Sequence, residues 1–174
     1  MNYRTVKTQP LKVFGLEGLI STTGEDGYYT KAGELWQENH RNGKYEQLCL
    51  DVADEPNAIY GEMFVRDMCR VHGLMNYKKI NDTTYGYMQC GLAVPAGKTD
   101  GYAVLEVPAA TWAVFPIDLI DWDVGAAMRE LNRRFYSEWL PTAEYEKADA
   151  PEMEMYGGTP GKGYFELWMP IVRK

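Results

Sequence analysis

The C-terminal segment of the chain alternates between two kinds of side chain. The first set is purely apolar and consists of Phe165, Leu167, Met169 and Ile171. The second set is aromatic with one carboxylate at its centre and consists of Tyr164, Glu166 and Trp168. Successive side chains of a β-strand point to opposite faces of a sheet. We therefore expect one face to cover a core and the other to line a cleft for a flat or cationic molecule.

A weaker copy of this pattern lies earlier in the chain. Tyr85, Tyr87 and Gln89 alternate there with Met88, Cys90 and Leu92. One shift of the sequence superimposes Tyr77 on Tyr156 and Tyr85 on Tyr164 without a gap. Matching alternation and spacing predict a duplicated unit. We expect one domain over 1–174, built from internal repeats at about 9–95 and 101–174.

Composition and charge limit the function classes. A chain of 174 residues that is 45% hydrophobic can bury the core of one domain. Its net charge of −7 argues against direct binding of nucleic acid, which needs clustered Lys and Arg, and favours cationic ligands. The sequence has neither an apolar run of membrane-spanning length nor a signal-peptide pattern. We expect a cytoplasmic protein with no membrane association.

The coarse secondary-structure pattern is the same in both halves. The first half is predicted to contain a strand at 11–21, a helix from Tyr29 that ends at Gly43, and a hairpin formed by 71–77 and 84–94. Residues 44–70 are less regular, with a short second helix predicted around Ile59, Met63 and Phe64.

The second half begins with extended segments at 102–107 and 111–115, after a turn-rich boundary at 95–101. A helix follows, capped by Asp121 or Asp123 and stopped by Pro141. Its apolar stripe consists of Val124, Ala127, Met128, Leu131, Phe135 and Trp139. The final hairpin pairs 152–156 with 164–172. This order predicts an α+β fold, in which an antiparallel sheet carries helices on one face and a ligand cleft on the other.

The final hairpin also carries the most informative acids. If Gly157 and Gly163 close its turn, Tyr156 lies opposite Tyr164 and Glu154 lies opposite Glu166. Like charges that face each other across two strands are destabilising. Solvent exposure, a shared proton or a bound cation would explain such a pair. The aromatic surroundings favour a ligand site.

Most catalytic patterns are missing from the sequence. His40 and His72 are the only histidines, and neither lies in a nucleophile pattern. The glycine-rich segment 157–163 lacks the Ser or Thr that must follow the lysine of a phosphate loop, so it is predicted to be a hairpin turn. Neither a metal nor a cofactor is expected. Trp112 and Trp122 fit a core position or a cleft position equally well.

Three segments together resemble the GyrI-like small-molecule-binding family, which is also the effector-binding domain of AraC-type and MerR-type multidrug-responsive regulators. They are 139–145 (WLPTAEY), 151–156 (PEMEMY) and 164–171 (YFELWMPI). The segment 107–115 (VPAATWAVF) resembles the middle strand of that family, and 91–94 (GLAV) fits its internal repeat. The likeness covers nearly the whole chain.

This resemblance implies two pseudo-symmetric β-α-β-β units with a cleft between them, walled by aromatic rings and holding an acid from the closing hairpin. Glu154 and Glu166 both suit that acid. The candidate ligand-binding residues are Glu166, Glu154, Tyr145, Tyr156, Tyr164, Trp168, Tyr85, Tyr87 and Trp112. Regulators of the family carry a separate helix-turn-helix domain, for which these 174 residues leave no room.

Three functions fit these observations. The favoured one is a stand-alone effector-binding protein that senses or sequesters a hydrophobic, cationic small molecule, in transcription regulation or drug resistance. The second is a hydrolase of cyclopropanoid-like electrophiles, in which Glu166 orients water and Tyr145 or Tyr156 supplies a proton. The third is a protein-binding modulator similar to the gyrase-inhibiting members of the family, with a protein partner on its acidic surface. No catalytic residue is assigned, because a lone acid in an aromatic cleft suffices for recognition.

Overall fold

The computed structural model of the protein describes residues 2–21, 27–52, 68–93 and 98–174. Within these ranges the chain forms nine strands: β1 (Arg4–Thr8), β2 (Leu11–Ser21), β3 (His72–Asn81), β4 (Thr84–Leu92), β5 (Ala103–Val107), β6 (Ala110–Asp118), β7 (Tyr145–Lys147), β8 (Glu152–Thr159) and β9 (Lys162–Arg173). Its helices there are α1 (Gly27–Arg41), α2 (Lys44–Asp51) and α3 (Val124–Arg134), and a π-helical turn, Phe135–Trp139, continues α3. The fold is α+β, as predicted.

All nine strands belong to one antiparallel sheet. Its order is β1-β6-β9-β8-β3-β4-β2-β5, and β7 adds to β9. The first half of the chain contributes β2, α1 and α2, β3 and β4, and the second contributes β6, α3, β8 and β9. Each half therefore has the predicted order of strand, helix, strand and strand. The two halves meet at the centre of the sheet, where β3 pairs with β8.

The helices pack on one face of the sheet. Phe165, Leu167, Met169 and Ile171 of β9 lie in one buried cluster with Met128, Leu131 and Phe135, as the alternation of β9 predicts. α3 begins at the predicted cap, since the Oδ1 of Asp123 accepts a 2.8 Å hydrogen bond from the backbone N–H of Ala126. This helix therefore lies across the second half of the sheet with its apolar stripe inward.

The opposite face of the sheet carries a second buried core. Trp112 of β6 and Trp168 of β9 belong to one cluster with Leu11 and Val13 of β2, although β2 lies near the other end of the sheet. The sheet must therefore curve strongly, so that side chains from both ends meet on this face. No helix among the described residues is long and apolar enough to cross a membrane.

The final hairpin has a different register from the one that we predicted. Pro160 and Gly161 form a two-residue turn between Thr159 and Lys162, and the φ of Gly161 is 82°. Proline followed by a glycine of positive φ is typical of a type II turn. The prediction that Glu154 lies opposite Glu166 and Tyr156 opposite Tyr164 is wrong. Glu154 instead pairs with Leu167, Tyr156 with Phe165 and Glu166 with Met155.

This register places Glu154 and Glu166 on opposite faces of the sheet. A similar difference affects the predicted superposition of the two halves. Tyr85 lies on the helix face, near Met75 and Met128, whereas Tyr164 points to the other face with Glu166. The repeats share their order of elements, but the predicted superposition of Tyr85 on Tyr164 is wrong, and the repeat boundaries stay a prediction.

Two further predictions concern the first half. The short helix that we expected around Ile59, Met63 and Phe64 lies outside the described residues. The second prediction, that the first helix ends at Gly43, is confirmed, since α1 ends at Arg41 and α2 follows after a turn at Gly43, whose φ is 74°. This arrangement brings Tyr45 of α2 against Trp36 of α1, with ring centroids 5.7 Å apart.

Candidate functional site

A cavity of about 420 Å³ lies between α1, the start of α3 and the sheet. Five aromatic residues of the described ranges line it: Trp36, Tyr45, Tyr87, Trp122 and Tyr156. Glu154 is the one carboxylate among its described lining residues. The cavity is therefore on the helix face of the sheet, whereas we expected the cleft on the opposite face, which carries the second core.

Glu154 is almost completely buried, with 3% of its surface exposed. Its Oε2 accepts hydrogen bonds from the hydroxyls of Tyr87 and Tyr156, at 2.7 and 2.6 Å. Its Oε1 takes part in neither bond. Among the described residues no Lys, Arg or His forms an ion pair with this carboxylate. Glu154 therefore has neutral donors but no described counter-charge.

The backbone of β3 makes room for this arrangement. Gly73 of β3 pairs with Glu154 of β8, and a Cβ atom at Gly73 would lie only 2.6 Å from the hydroxyl oxygen of Tyr87. The same Cβ would also collide with Oε2 of Glu154. A glycine is thus required for the side chains of β4 and β8 to meet across β3. The contact joins the two halves of the fold.

The two tyrosines have defined roles as donors. The indole N–H of Trp36 donates a 2.6 Å hydrogen bond to the hydroxyl oxygen of Tyr87, so the proton of Tyr87 remains for Glu154. Burial and the neighbouring Glu154 raise the pKa of Tyr87 well above its ordinary value. The Tyr87 hydroxyl is therefore a fixed donor at neutral pH.

The electrostatics of the site disfavour an unpaired negative charge. Burial raises the pKa of Glu154, and the nearby Glu152 raises it further, while the two tyrosine hydrogen bonds act in the opposite direction. Moving a carboxylate out of water without a counter-charge costs on the order of several kcal/mol. A positive charge brought into the cavity would offset this cost.

The aromatic walls contact one another in tilted and edge-to-face arrangements. Trp36 contacts Tyr156 in a T-shaped arrangement with centroids 5.3 Å apart. His40 lies 4.1 Å from the ring of Tyr45 and forms a 2.9 Å contact between its Nδ1 and the Oε1 of Glu46. Aromatic faces attract organic cations within about 6 Å of the ring centroid. The walls and the acid thus favour the same kind of ligand.

The second predicted acid, Glu166, has a different environment. It is completely buried on the opposite face, where its carboxylate accepts hydrogen bonds of 2.6 and 2.9 Å from the guanidinium of Arg4. The hydroxyl of Tyr164 and the indole N–H of Trp168 donate to it at 2.5 and 2.9 Å. Protein groups therefore already neutralise and saturate Glu166. Its counter-charge comes from β1, a strand that we did not predict.

The remaining predicted residues lie away from the cavity. Trp112 packs against Trp168 in the second core and donates a 3.0 Å hydrogen bond to the Oγ1 of Thr8. Tyr145 of β7 stacks on Trp139 at 6.3 Å. Tyr85 lines a separate, more polar cavity beside Lys79 and Glu152. Of the nine predicted residues, the structure brings Glu154, Tyr87 and Tyr156 together in the cavity.

Sequence reasoning missed the contribution of the first two helices. Ala32, Trp36 and His40 recur at intervals of four residues, so they share one face of α1, and all three line the cavity. That spacing is visible in the sequence. The spacing could have shown that these three residues share one face of α1. It does not show that this face, together with the sheet, encloses a cavity.

The comparisons with known proteins agree with this fold. The family model described as integron-associated effector binding protein matches residues 4–171. A comparison with curated proteins gave no match. Among solved structures, SAV2435 bound to tetraphenylphosphonium is similar with a TM-score of 0.73 and 17% identity, covering 99% of this chain and 94% of that one.

Two other solved structures are similar over almost their whole lengths. A putative bacterial transcription regulation protein from Staphylococcus aureus has a TM-score of 0.68 and 19% identity, covering 98% of both chains. An integron cassette protein of Vibrio cholerae has a TM-score of 0.60 and 13% identity, covering 98% of this chain and 95% of that one. At these identities the structures show a shared fold, and the family match covers nearly every residue. The chain therefore belongs to the integron-associated effector binding proteins, a GyrI-like family of small-molecule binders.

Proposed function

We propose that this protein binds hydrophobic organic cations in the cavity between α1, α3 and the sheet, with Glu154 as the counter-charge. The observation that carries the proposal is the environment of this carboxylate. It is 3% exposed, accepts two tyrosine hydrogen bonds at Oε2 and has no cationic partner among the described residues. A ligand cation near Oε1 would complete the site.

The walls of the cavity support a hydrophobic ligand. Its volume of about 420 Å³ falls within the range of about 300–1,000 Å³ that is usual for small-molecule sites. Trp36, Tyr45 and Trp122 contribute aromatic rings to the same lining as Glu154. Cation–π attraction and apolar burial therefore add to the attraction of the carboxylate. Sensing or sequestration of such compounds is the function that follows.

The ligand of a similar protein supports the same chemistry. SAV2435 has been solved with tetraphenylphosphonium, a permanently charged cation with four phenyl rings. We therefore propose tetraphenylphosphonium as the first probe for this protein. Its anionic counterpart, tetraphenylborate, has nearly the same shape and the opposite charge, and so separates the effect of charge from that of size.

Binding can be followed by quenching of the tryptophan fluorescence during titration with each probe. We expect saturable binding of tetraphenylphosphonium and at least tenfold weaker binding of tetraphenylborate, because the cavity offers a carboxylate and no described ammonium or guanidinium group. Equal affinity for both probes, or binding of neither, would contradict the proposal.

The hydrolase alternative has a separate readout. Glu166, which would have oriented water, is held by Arg4, Tyr164 and Trp168, and Tyr145 lies outside the cavity. We therefore expect an ester-bearing cation that binds to be recovered unchanged by mass spectrometry after incubation. Repeated turnover that disappears in Glu154→Gln would favour an enzyme that uses this cavity.

A further inference from the structure

Two glycines face the cavity from the two helices that enclose it. Gly33 lies in the middle of α1, and Gly125 lies in the first turn of α3. Glycine is the least favourable residue for a helix interior apart from proline, because it loses the most conformational freedom on folding. A glycine in the middle of α1 therefore needs a reason.

Packing among the described residues does not supply that reason. A Cβ atom at Gly33 would meet no described atom within 4 Å. At Gly125 the nearest atoms are a guanidinium nitrogen of Arg129 at 3.4 Å and Oδ1 of Asp123 at 3.5 Å, which are ordinary contact distances. Neither glycine has a positive φ. Both positions differ from Gly73, where a Cβ would collide with its neighbours.

We propose that Gly33 and Gly125 determine ligand size, by leaving the space between α1 and α3 open for bulky, multi-ring cations. This inference rests on the proposed function and specifies the ligand class further. A side chain at either position would project into the cavity from the helices, while Glu154 approaches from the sheet. Substitution should therefore exclude large cations and leave the attraction between a small cation and Glu154 intact.

A methionine near these glycines allows the opening to adjust to different ligands. Met128 also lines the cavity, one turn beyond Gly125 on α3. Methionine is flexible and fills gaps of irregular shape. A flexible side chain can move aside for a ligand, whereas a branched residue at Gly33 or Gly125 would occupy the space permanently.

The test uses Gly33→Leu and Gly125→Leu with two permanently charged probes, tetraphenylphosphonium and the single-ring phenyltrimethylammonium. We expect each substitution to weaken tetraphenylphosphonium at least tenfold and to change phenyltrimethylammonium by less than about threefold. Ala126→Leu is the matched control, because Ala126 is exposed on α3 and does not line the cavity. The control should leave both affinities unchanged. Equal losses for the two probes, or no loss for either, would overturn the inference.

A second measurement needs no ligand. Gly33→Ala should raise the Tm of the unliganded protein by about 2–4 °C, because the helix gains a better residue and the cavity has room for the methyl group. A lower Tm would show that the fold itself requires this glycine, and would overturn the inference. If neither cation bound the wild type, the proposed function would fail, and the melting comparison would still test the role of Gly33.

Discussion

The hydroxyl of Tyr87 on β4 donates a 2.7 Å hydrogen bond to Glu154 on β8, across the intervening strand β3. This bond joins the two halves of the fold at the floor of the cavity. It exists because β3 has Gly73 at the crossing point. The site therefore depends on a residue that contributes no side chain, as well as on the acid itself.

Gly73→Ala should damage both the fold and the site. The new Cβ would lie 2.6 Å from the hydroxyl of Tyr87 and collide with Glu154, so the strands or side chains must shift. Overpacking of this kind costs about 1–3 kcal/mol of unfolding free energy. Urea denaturation measures the loss, and Gly33→Ala is the control that should not lose stability. An unchanged urea midpoint in Gly73→Ala would show that Tyr87 and Glu154 do not pack tightly against Gly73.

The raised pKa of Glu154 predicts opposite pH trends for stability and for cation binding. The native state holds this proton more tightly than the unfolded state does, so the resulting stability is fully present below the unfolded pKa of about 4.3 and is lost as pH rises through the folded pKa. A cation needs the carboxylate, so its affinity should rise over the same interval and then level.

The measurement is a series of tetraphenylphosphonium titrations and urea unfolding curves between about pH 4 and 8. Glu154→Gln removes the titrating group and keeps an oxygen for the two tyrosine hydroxyls. We expect this variant to show a smaller rise in affinity and a smaller loss of stability with increasing pH. A rise in affinity that persisted unchanged in this variant would show that Glu154 is not the group responsible for the trend.

Arg4→Met should lower stability without changing recognition. It removes the cation that pairs with Glu166, which is completely buried on the face opposite the cavity. Breaking a buried ion pair by removing one partner costs about 3–5 kcal/mol. Urea denaturation measures this loss, and titration of the folded variant with tetraphenylphosphonium should give the wild-type affinity within about twofold. A stable variant with weakened binding would reverse the roles assigned to Glu154 and Glu166.

Leu167→Ala tests the apolar face of β9. Leu167 is completely buried in the cluster that includes Met128 and Phe135. Truncation of a leucine in such a core costs about 2–5 kcal/mol. The exposed Leu50 offers a matched control, since Leu50→Ala on α2 should change the unfolding free energy far less. Similar losses in the two variants would be inconsistent with this packing.

The elements that the sequence predicts well are those governed by local periodicity. The alternation of Phe165 and Leu167 with Glu166 indicates a strand and identifies the face that packs on the helices. The stripe of α3 and its cap at Asp123 are equally local, because the cap and the apolar spacing lie within a few turns. Both predictions needed no knowledge of distant residues.

The register of the final hairpin shows where such reasoning fails. The turn is rich in glycine, so a closure centred on Pro160 and Gly161 and the one between Gly157 and Gly163 both satisfy turn chemistry. The two closures differ by one residue in the pairing of the strands. A shift of one residue exchanges the faces of all side chains on one strand relative to its partner. Hence the sequence identified Glu154 as a candidate without predicting that Glu166 lies on the other face.

The other parts of the site depend on contacts that are distant in the chain. The counter-charge of Glu166 is Arg4, which lies on β1, a strand of five residues. The wall formed by Trp36 meets Glu154 only after the two halves of the sheet associate through β3 and β8. Periodicity indicates which face of an element is apolar or aromatic. It does not identify the residues from other parts of the chain that this face contacts.

We propose that Glu154, and not Glu166, provides the charge that selects a cation. Calorimetric titration of wild type, Glu154→Gln and Glu166→Gln with tetraphenylphosphonium and tetraphenylborate distinguishes the two acids. We predict that Glu154→Gln weakens the cation at least tenfold without weakening the anion, because a carboxylate 4 Å from a unit charge contributes about 4 kcal/mol at an effective dielectric constant of 20, before the desolvation of Glu154 is counted. Folded Glu166→Gln should keep the preference of the wild type for the cation. Loss of that preference in Glu166→Gln, or its survival in Glu154→Gln, would show that Glu154 is not the selecting charge.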